Sequence, residues 1–469
     1  MKKTNKNFIY NVVYQVFIFI IPLVSTPYIS RILGVNNIGI YSYTYSLVYY
    51  FMLASMLGIN NYGAREIAKC SLNRSKLSQK FYSIYFLQLI CNILMIIFFA
   101  IFIVIIDYNH KDILMIQFIF LISCAFDINW FFFGMEEFKI TITRNVIIKI
   151  LSLVLIFALV KNNNDLWLYT LIMSISTFIS QVYLWIFIRK RVSFGKISFK
   201  EVFSHLPQCL ILFIPVIAYS IYRVMDKTMI GFLANTTELG YYESAEKIIN
   251  IPISFVTALG TVMMPHIAKS SDEELANKFS STFYLCYFFI IPMVLGLLVI
   301  SKDFTRFFFG EEFSKTANII ILLLPTILFA AMTNIIRSNY LIPKSKDKIY
   351  IMSTALGAII NLIFNIIFIK KYGAYGACIG TVAAEFSVLV YQIVYTKTKI
   401  NYLNNFKKLL PIVVKSFIML IYLIIIGSLI ENIYTKIIVQ VFGAIVIYFT
   451  CNYRYILNDF LGIGGHISK

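Results

Sequence analysis

Charge is what this sequence has little of. Only 13% of its 469 residues are Asp, Glu, Lys or Arg, where soluble domains carry about 25%. With 59% hydrophobic residues, the chain cannot dress a water-exposed surface and reads as a polytopic membrane protein. Metal-binding residues are scarce as well. The seven cysteines are scattered without a CxxC pair, and His110, His205, His266 and His466 show no ligand spacing. This pattern argues against a disulfide framework and against a metal site. Catalytic signatures are missing: no Walker A loop, no G-x-S-x-G and no H-E-x-x-H occurs. Neither an enzyme nor a cofactor is expected.

Long apolar runs, by contrast, are plentiful. A bilayer crossing takes about 20 apolar residues. Fourteen runs qualify: 8–29, 39–59, 82–106, 113–133, 140–160, 166–188, 206–233, 245–265, 280–301, 316–334, 350–369, 374–395, 409–430 and 437–453. The first follows a basic "MKKTNK", but it is too long for a signal-peptide core and no small-residue cleavage site follows, so it reads as a retained span. No connecting loop has room for a soluble domain. If the N-terminus is cytoplasmic, 26 of the 41 Lys and Arg fall in cytoplasmic segments and 9 in external ones. The positive-inside rule therefore predicts a multi-pass protein with both termini in the cytoplasm. The formal charge of +19 reports topology and gives no reason to invoke nucleic acid.

A weak internal repeat runs through the chain. "IGIYSY" (38–43) resembles "LGYYES" (239–244), and "LGINNYGAREIAK" (57–69) resembles "LGTVMMPHIAK" (259–269). Both pairs are offset by about 200 residues in the same order. Spans 1 and 7 share breakers, Pro22 and Pro27 in one and Pro207 and Pro215 in the other. Six spans per half make both halves enter the membrane from the same side. The expected architecture is all-α, with an N-lobe (1–200), a C-lobe (201–400) and a C-terminal helix pair with its tail (401–469). A pseudo-twofold along the membrane normal relates the lobes, an arrangement transporters use with substrate between the halves.

Six bases fall within spans or at their edges: Arg144, Lys149, Arg223, Lys227, Lys247 and Lys415. The acids at comparable depth are Asp127, Asp226, Glu243, Glu246 and Glu385. Arg223, Asp226 and Lys227 sit at i, i+3 and i+4, on one helical face. A charged face cannot point at lipid. It either binds an anionic group of a substrate or locks span 7 to a neighbouring helix, and the spacing alone leaves both open. Lys247 has Glu243 one turn earlier, a structural pair. A cavity lined by Arg144, Lys149, Arg223, Lys227 and Lys415, with Asp226 among them, suits a phosphate or diphosphate held by charge-assisted hydrogen bonds. Asp127, Asp226 and Glu385 are the candidates for ion coupling.

Several stretches resemble a known group. "TPYISRILGVNNIGIYSY", "NNYGAREIAK", "FDINWFFFGMEEFKITITRNVIIKI", "MDKTMIGFLANTTELGYYESAEKI" and "ALGTVMMPHIAK" are similar to the bacterial oligosaccharide flippases of polysaccharide biosynthesis. These belong with lipid II flippases and multidrug-and-toxin extruders in one export superfamily. The resemblance covers spans 1 to 12, while the last two match only in kind. It implies two six-helix lobes around a cationic cavity in the cytoplasmic membrane. It also implies transfer of undecaprenyl-diphosphate-linked sugar repeat units to the outer leaflet by alternating access. The implied partners are that lipid-linked oligosaccharide, membrane lipid, a coupling H+ or Na+, and the polysaccharide polymerase machinery. The first span has no mid-helix Arg, and Arg31 comes only at its end, so the arginines of lipid II flippases are not carried over. An ion-coupled drug extruder and a membrane enzyme of the same pathway are the competing readings. The first predicts a carboxylate-dominated cavity, the second a catalytic loop.

Overall fold

The computed structural model describes residues 3–193, 195, 197–268 and 272–453. The terminal bases Lys2, Arg454 and Lys469 lie outside those residues, as do Lys196 and Lys269. Every regular element described is helical. Among the described residues, ten helices or helix pairs are long and apolar enough to cross a membrane, from Arg74–Ile105 to Ile433–Cys451. They match the expected spans 3 to 6 and 9 to 14. The other four expected spans fall on α1 (Lys3–Met56), α9 (Leu206–Leu233) and α10 (Thr236–Ala268). The chain is an all-α, multi-pass membrane protein.

Two compact units divide it, Met1–Gly240 and Tyr241–Lys469. The first opens with α1, which holds two expected spans without a loop. They meet at Gly34, whose φ of 74° is open to a residue without Cβ and strained for others. Next come α2 (Ile59–Cys70), α3 (Arg74–Ile105), α4 (Lys111–Cys124), α5 (Asn129–Gly134), α6 (Phe138–Leu159), α7 (Leu166–Ile188), α8 (Phe199–Ser204) and α9. Pro207 stands in the first turn of α9, where a missing N–H costs nothing.

The core of this unit is where the motif stretches meet. Trp130, Phe131 and Phe132 of α5 are fully buried against Phe81 of α3 and Ile67 of α2. Gly63 lets α2 lie directly on the Trp130 indole, and Gly134 lets α5 close onto the Ala64 carbonyl. An Arg191–Glu137 ion pair at 2.7 Å closes the same end.

The interruption between α4 and α5 strips carbonyls of helical partners at membrane depth, and each unsatisfied group there costs several kcal/mol. Gln88 of α3 supplies the missing donor. Its amide reaches Cys124 O at 2.6 Å and Asp127 O at 2.8 Å, and its own oxygen accepts from Trp130 Nε1 at 2.9 Å.

A buried histidine ties three elements at one end of this unit. His205, between α8 and α9, is 2% exposed. Its Nδ1 lies 2.6 Å from the Tyr62 hydroxyl and its Nε2 2.9 Å from Ser83 Oγ. Ser83 donates its own proton to Lys80 O, so it accepts from Nε2–H. Tyr62 then donates to a bare Nδ1, and burial pushes its hydroxyl up to about 12, so it stays protonated.

Burial pushes His205 below its ordinary value. Lys80 adds to the shift, and Glu201 and Glu66 oppose it. The unfolded chain then takes up the proton first, and stability falls as pH drops below the ordinary value of about 6.5. We expect the melting temperature of the detergent-solubilised protein to decline between about pH 7 and 5, and His205→Gln to flatten that decline. An equal pH slope in both proteins would refute the linkage.

The second unit runs from the body of α10 through α11 (Asp272–Phe308), α12 (Ser314–Ile336), α13 (Asp347–Tyr372), α14 (Ala374–Thr396), α15 (Tyr402–Leu429) and α16 (Ile433–Cys451). A π-helical turn, Arg337–Leu341, follows α12. The α13–α14 hairpin closes on small residues, with Gly376 against the Phe368 backbone and Gly380 against Asn365. The α15–α16 pair packs on α11, where Tyr448 donates to Phe288 O at 2.6 Å and Lys436 meets Asp303 at 3.2 Å.

Candidate functional site

A cavity of about 520 Å³ opens in the first unit between α2, α5, α6, α7 and the turn before α5. Three of the expected site residues line it: Asp127, Arg144 and Lys149. The broken helix brings Asp127 there, and α6 carries both bases.

Arg144 is the keystone. It is 4% exposed, and five hydrogen bonds run from its guanidinium, whose planar fork carries five N–H donors, to neighbouring described residues. Nε and NH2 share Asn145 Oδ1 at 3.1 and 2.7 Å, NH2 also reaches Asn129 Oδ1 at 3.0 Å, and NH1 reaches Ser180 O at 3.1 Å and Gln181 Oε1 at 3.4 Å. Asn129 in turn donates to Gln181 Oε1 at 3.1 Å and to Asp127 Oδ1 at 2.7 Å. The guanidinium thus fixes three amides, and Asn129 fixes one oxygen of the carboxylate.

What remains is a set of polar groups on the lining residues without partners among the described residues. They are Asp127 Oδ2, Lys149 Nζ, Gln181 Nε2, Ser176 Oγ and the amides of Asn60 and Asn61. Phe133 adds an aromatic ring, 44% exposed. Sequence reasoning reached the three charged residues and missed the amides. The signal for Gln181 was its place with Ser176, Thr177 and Ser180 at helical spacing in an otherwise apolar run.

Arg223, Asp226 and Lys227 lie on α9 and are not among the residues lining this cavity. The neighbouring face of α9 packs on α1. Thr228 meets Ser46 at 3.0 Å and Tyr50 at 3.2 Å, Ser220 meets Tyr49 at 3.4 Å, and Gly231 lies against the Tyr43 ring. Asp226 is buried and the two bases are half-buried. Each of the three makes polar or electrostatic contacts. Lys415 on α15 and Glu385 on α14 are half-buried in the second unit. An apolar hollow of about 370 Å³ in that unit, lined by Phe289, Pro292, Met419 and Tyr448, offers little to a polar headgroup. Among the described residues no group of three or more His, Cys, Asp or Glu could hold a metal ion.

Residues 4–271 match the family described as "Polysaccharide biosynthesis protein". A putative O-antigen transporter of Shigella dysenteriae is 22% identical over 380 residues, covering 80% of this chain and 95% of that protein. The structure of a lipid II flippase, MurJ, in an inward closed conformation superposes with a TM-score of 0.75 at 20% identity, covering 96% of this chain and 99% of that one. An inward-facing multidrug resistance transporter of the MATE family superposes at 0.58 with 14% identity, over 82% of this chain and 99% of that one. The two superpositions establish the fold. The family match, which takes in more than half of the chain, establishes the lineage: the protein belongs to the polysaccharide biosynthesis protein family.

Proposed function

We propose that the protein flips an undecaprenyl-diphosphate-linked oligosaccharide from the cytoplasmic to the outer leaflet of the bacterial cytoplasmic membrane. One observation carries this reading: a lipid II flippase fold along nearly the whole chain encloses, within its spans, a polar cavity in which bases outnumber acids. Crossing bare lipid would strip the sugar hydroxyls of hydrogen bonds, at roughly 2–7 kcal/mol for each one left unmade. A polar route lowers that barrier while the lipid tail stays in the bilayer.

In this reading Arg223 and Lys227 meet the diphosphate, with Asp226 holding them in register. Arg144 and Lys149 keep the first-unit cavity positive, and Lys415 adds a base from α15. Access alternates between the two membrane faces, and Asp127, Asp226 or Glu385 couples transport to H+ or Na+. The excess of bases over acids favours an anionic substrate over the cationic cargo of a drug extruder.

The test is translocation in proteoliposomes with a defined lipid-linked oligosaccharide. Arg223→Ala and Lys227→Ala should each weaken substrate affinity roughly ten- to a hundredfold at normal protein levels. Arg223→Lys should restore it only in part. Full activity of both alanine variants would sink diphosphate binding on α9. Full rescue by the swap Arg223→Asp with Asp226→Arg would make that face an ion pair of the architecture. For coupling, unchanged transport in Asp127→Asn, Asp226→Asn and Glu385→Gln removes all three acids from consideration.

A further inference from the structure

We infer that the first-unit cavity is the compartment that recognises a sugar: a pyranose ring of the lipid-linked glycan, bound through its hydroxyls by Asp127, Gln181 and Ser176 and stacked on Phe133. The inference rests on the flippase reading and deepens it, since it separates a sugar site from the diphosphate site on α9.

The unpartnered groups decide which ligand fits. A phosphate accepts hydrogen bonds only and carries negative charge, so it asks for donors alone. This cavity presents it with Asp127 Oδ2, a carboxylate oxygen with no partner among the described residues. An organic cation asks for acids and aromatic rings, and here two bases line the walls with one acid. An apolar ligand would leave the amides and hydroxyls unpaired. A sugar hydroxyl both donates and accepts. It needs acceptors, donors and two-way groups side by side, and those are what the walls carry. Asp127 Oδ2 accepts, Gln181 Nε2 and Lys149 Nζ donate, and Ser176 and the Asn60 and Asn61 amides do either.

Preorganisation points the same way. Gln181 and Asp127 are held from behind by the Arg144–Asn129 network, so their free atoms keep their direction when the cavity is empty. Phe133 is backed by Phe138, with ring centroids 5.9 Å apart and an interplanar angle of 26°. It offers its exposed surface to the apolar C–H face of a ring. The volume of about 520 Å³ lies within the range of about 300–1,000 Å³ typical of small-ligand pockets.

The test compares affinities of the full chain in nanodiscs for bare undecaprenyl diphosphate and for the same lipid bearing glucose, galactose or N-acetylglucosamine. The wild type is expected to prefer at least one glycosylated lipid over the bare one by tenfold or more. Asp127→Asn keeps an acceptor for Asn129 while turning the oxygen without a partner among the described residues into a donor. It is expected to lower that preference roughly ten- to a hundredfold. Ser176→Ala removes a hydroxyl that has no partner among the described residues, so it guards against a loss through misfolding, and it should lower the preference in the same direction. Arg223→Ala should weaken all four lipids together and leave the preference intact. A wild type that binds all four lipids equally overturns the sugar site while the flippase reading stands. A preference that survives both Asp127→Asn and Ser176→Ala also overturns it. A protein that binds none of the four and translocates none fails the flippase reading, and the sugar site falls with it.

Discussion

Arg144→Met is expected to remove most of the folded protein from the membrane. The guanidinium holds Asn145, Asn129, Ser180 and Gln181 by five hydrogen bonds in a site where it is almost wholly buried. Methionine fills similar space but donates nothing. The Ser180 carbonyl and three amide oxygens would then lose a charged donor at once, and Asp127 would lose the nearby positive charge. Removing one member of a buried ionic network costs about 3–5 kcal/mol, a large part of a total stability of about 5–15 kcal/mol. Arg144→Lys keeps the charge but replaces five donors in a planar fork with three on one nitrogen, so it should recover little. The readout is the yield and melting temperature of monodisperse protein in detergent. Wild-type yield and melting for Arg144→Met would show that the amide network holds itself together and that Arg144 serves the ligand alone.

The fold was legible because lipid enforces it. Apolar runs of sufficient length can do little else than cross a bilayer as helices, and ten of the fourteen expected runs coincide with helices of that kind. The charges of the site were legible for the same reason, since Asp127, Arg144 and Lys149 stand out against an apolar background. Their convergence was not. It depends on α4 stopping at Cys124, and that stop is tolerable only because Gln88, on another helix, caps the loosened carbonyls. No local pattern announces such a partner.

The stretches that carry the family resemblance have a different use from the one their conspicuousness suggests. "NNYGAREIAK" and "NWFFFG" pack on each other, with Gly63 under Trp130 and Gly134 on Ala64. They record how the helices close and also carry three of the cavity amides, Asn60, Asn61 and Asn129, while Ser176 and Gln181 sit in a run with no marker beyond helical spacing. The α9 charges show the limit from the other side. Their shared face is plain in the sequence, yet each has partners in the fold, so placement alone does not separate substrate site from architecture, and the charge swap does.

A side chain at Gly39 or Gly240 is expected to be nearly as damaging as the loss of Arg144, for a steric reason. The second half of α1 and the first turn of α10 cross with their backbones in contact. A Cβ at Gly39 would fall on the Thr236 carbonyl oxygen, and one at Gly240 on the Val35 carbonyl oxygen. The crossing is reciprocal: 201 residues separate Val35 from Thr236 and Gly39 from Gly240, close to the offset of the repeated blocks. Asn36 fastens it by accepting from Thr236 Oγ1 at 2.6 Å and Thr237 Oγ1 at 3.2 Å. Backbone cannot step aside as a flexible side chain can. Gly39→Ala and Gly240→Ala should therefore each reach at least the about 1–3 kcal/mol typical of overpacking, and the leucine variants should exceed it. The double alanine variant should cost less than the two singles together, because one separation of the helices relieves both clashes and neighbouring sites do not add. Gly296, within α11, has nothing within 4 Å of a built Cβ, so Gly296→Ala is the matched control and should melt at or above the wild-type temperature. Additive costs in the double variant would mean that the two glycines serve separate contacts. Wild-type melting and wild-type export by Gly39→Leu would mean that the working protein does not keep this crossing closed.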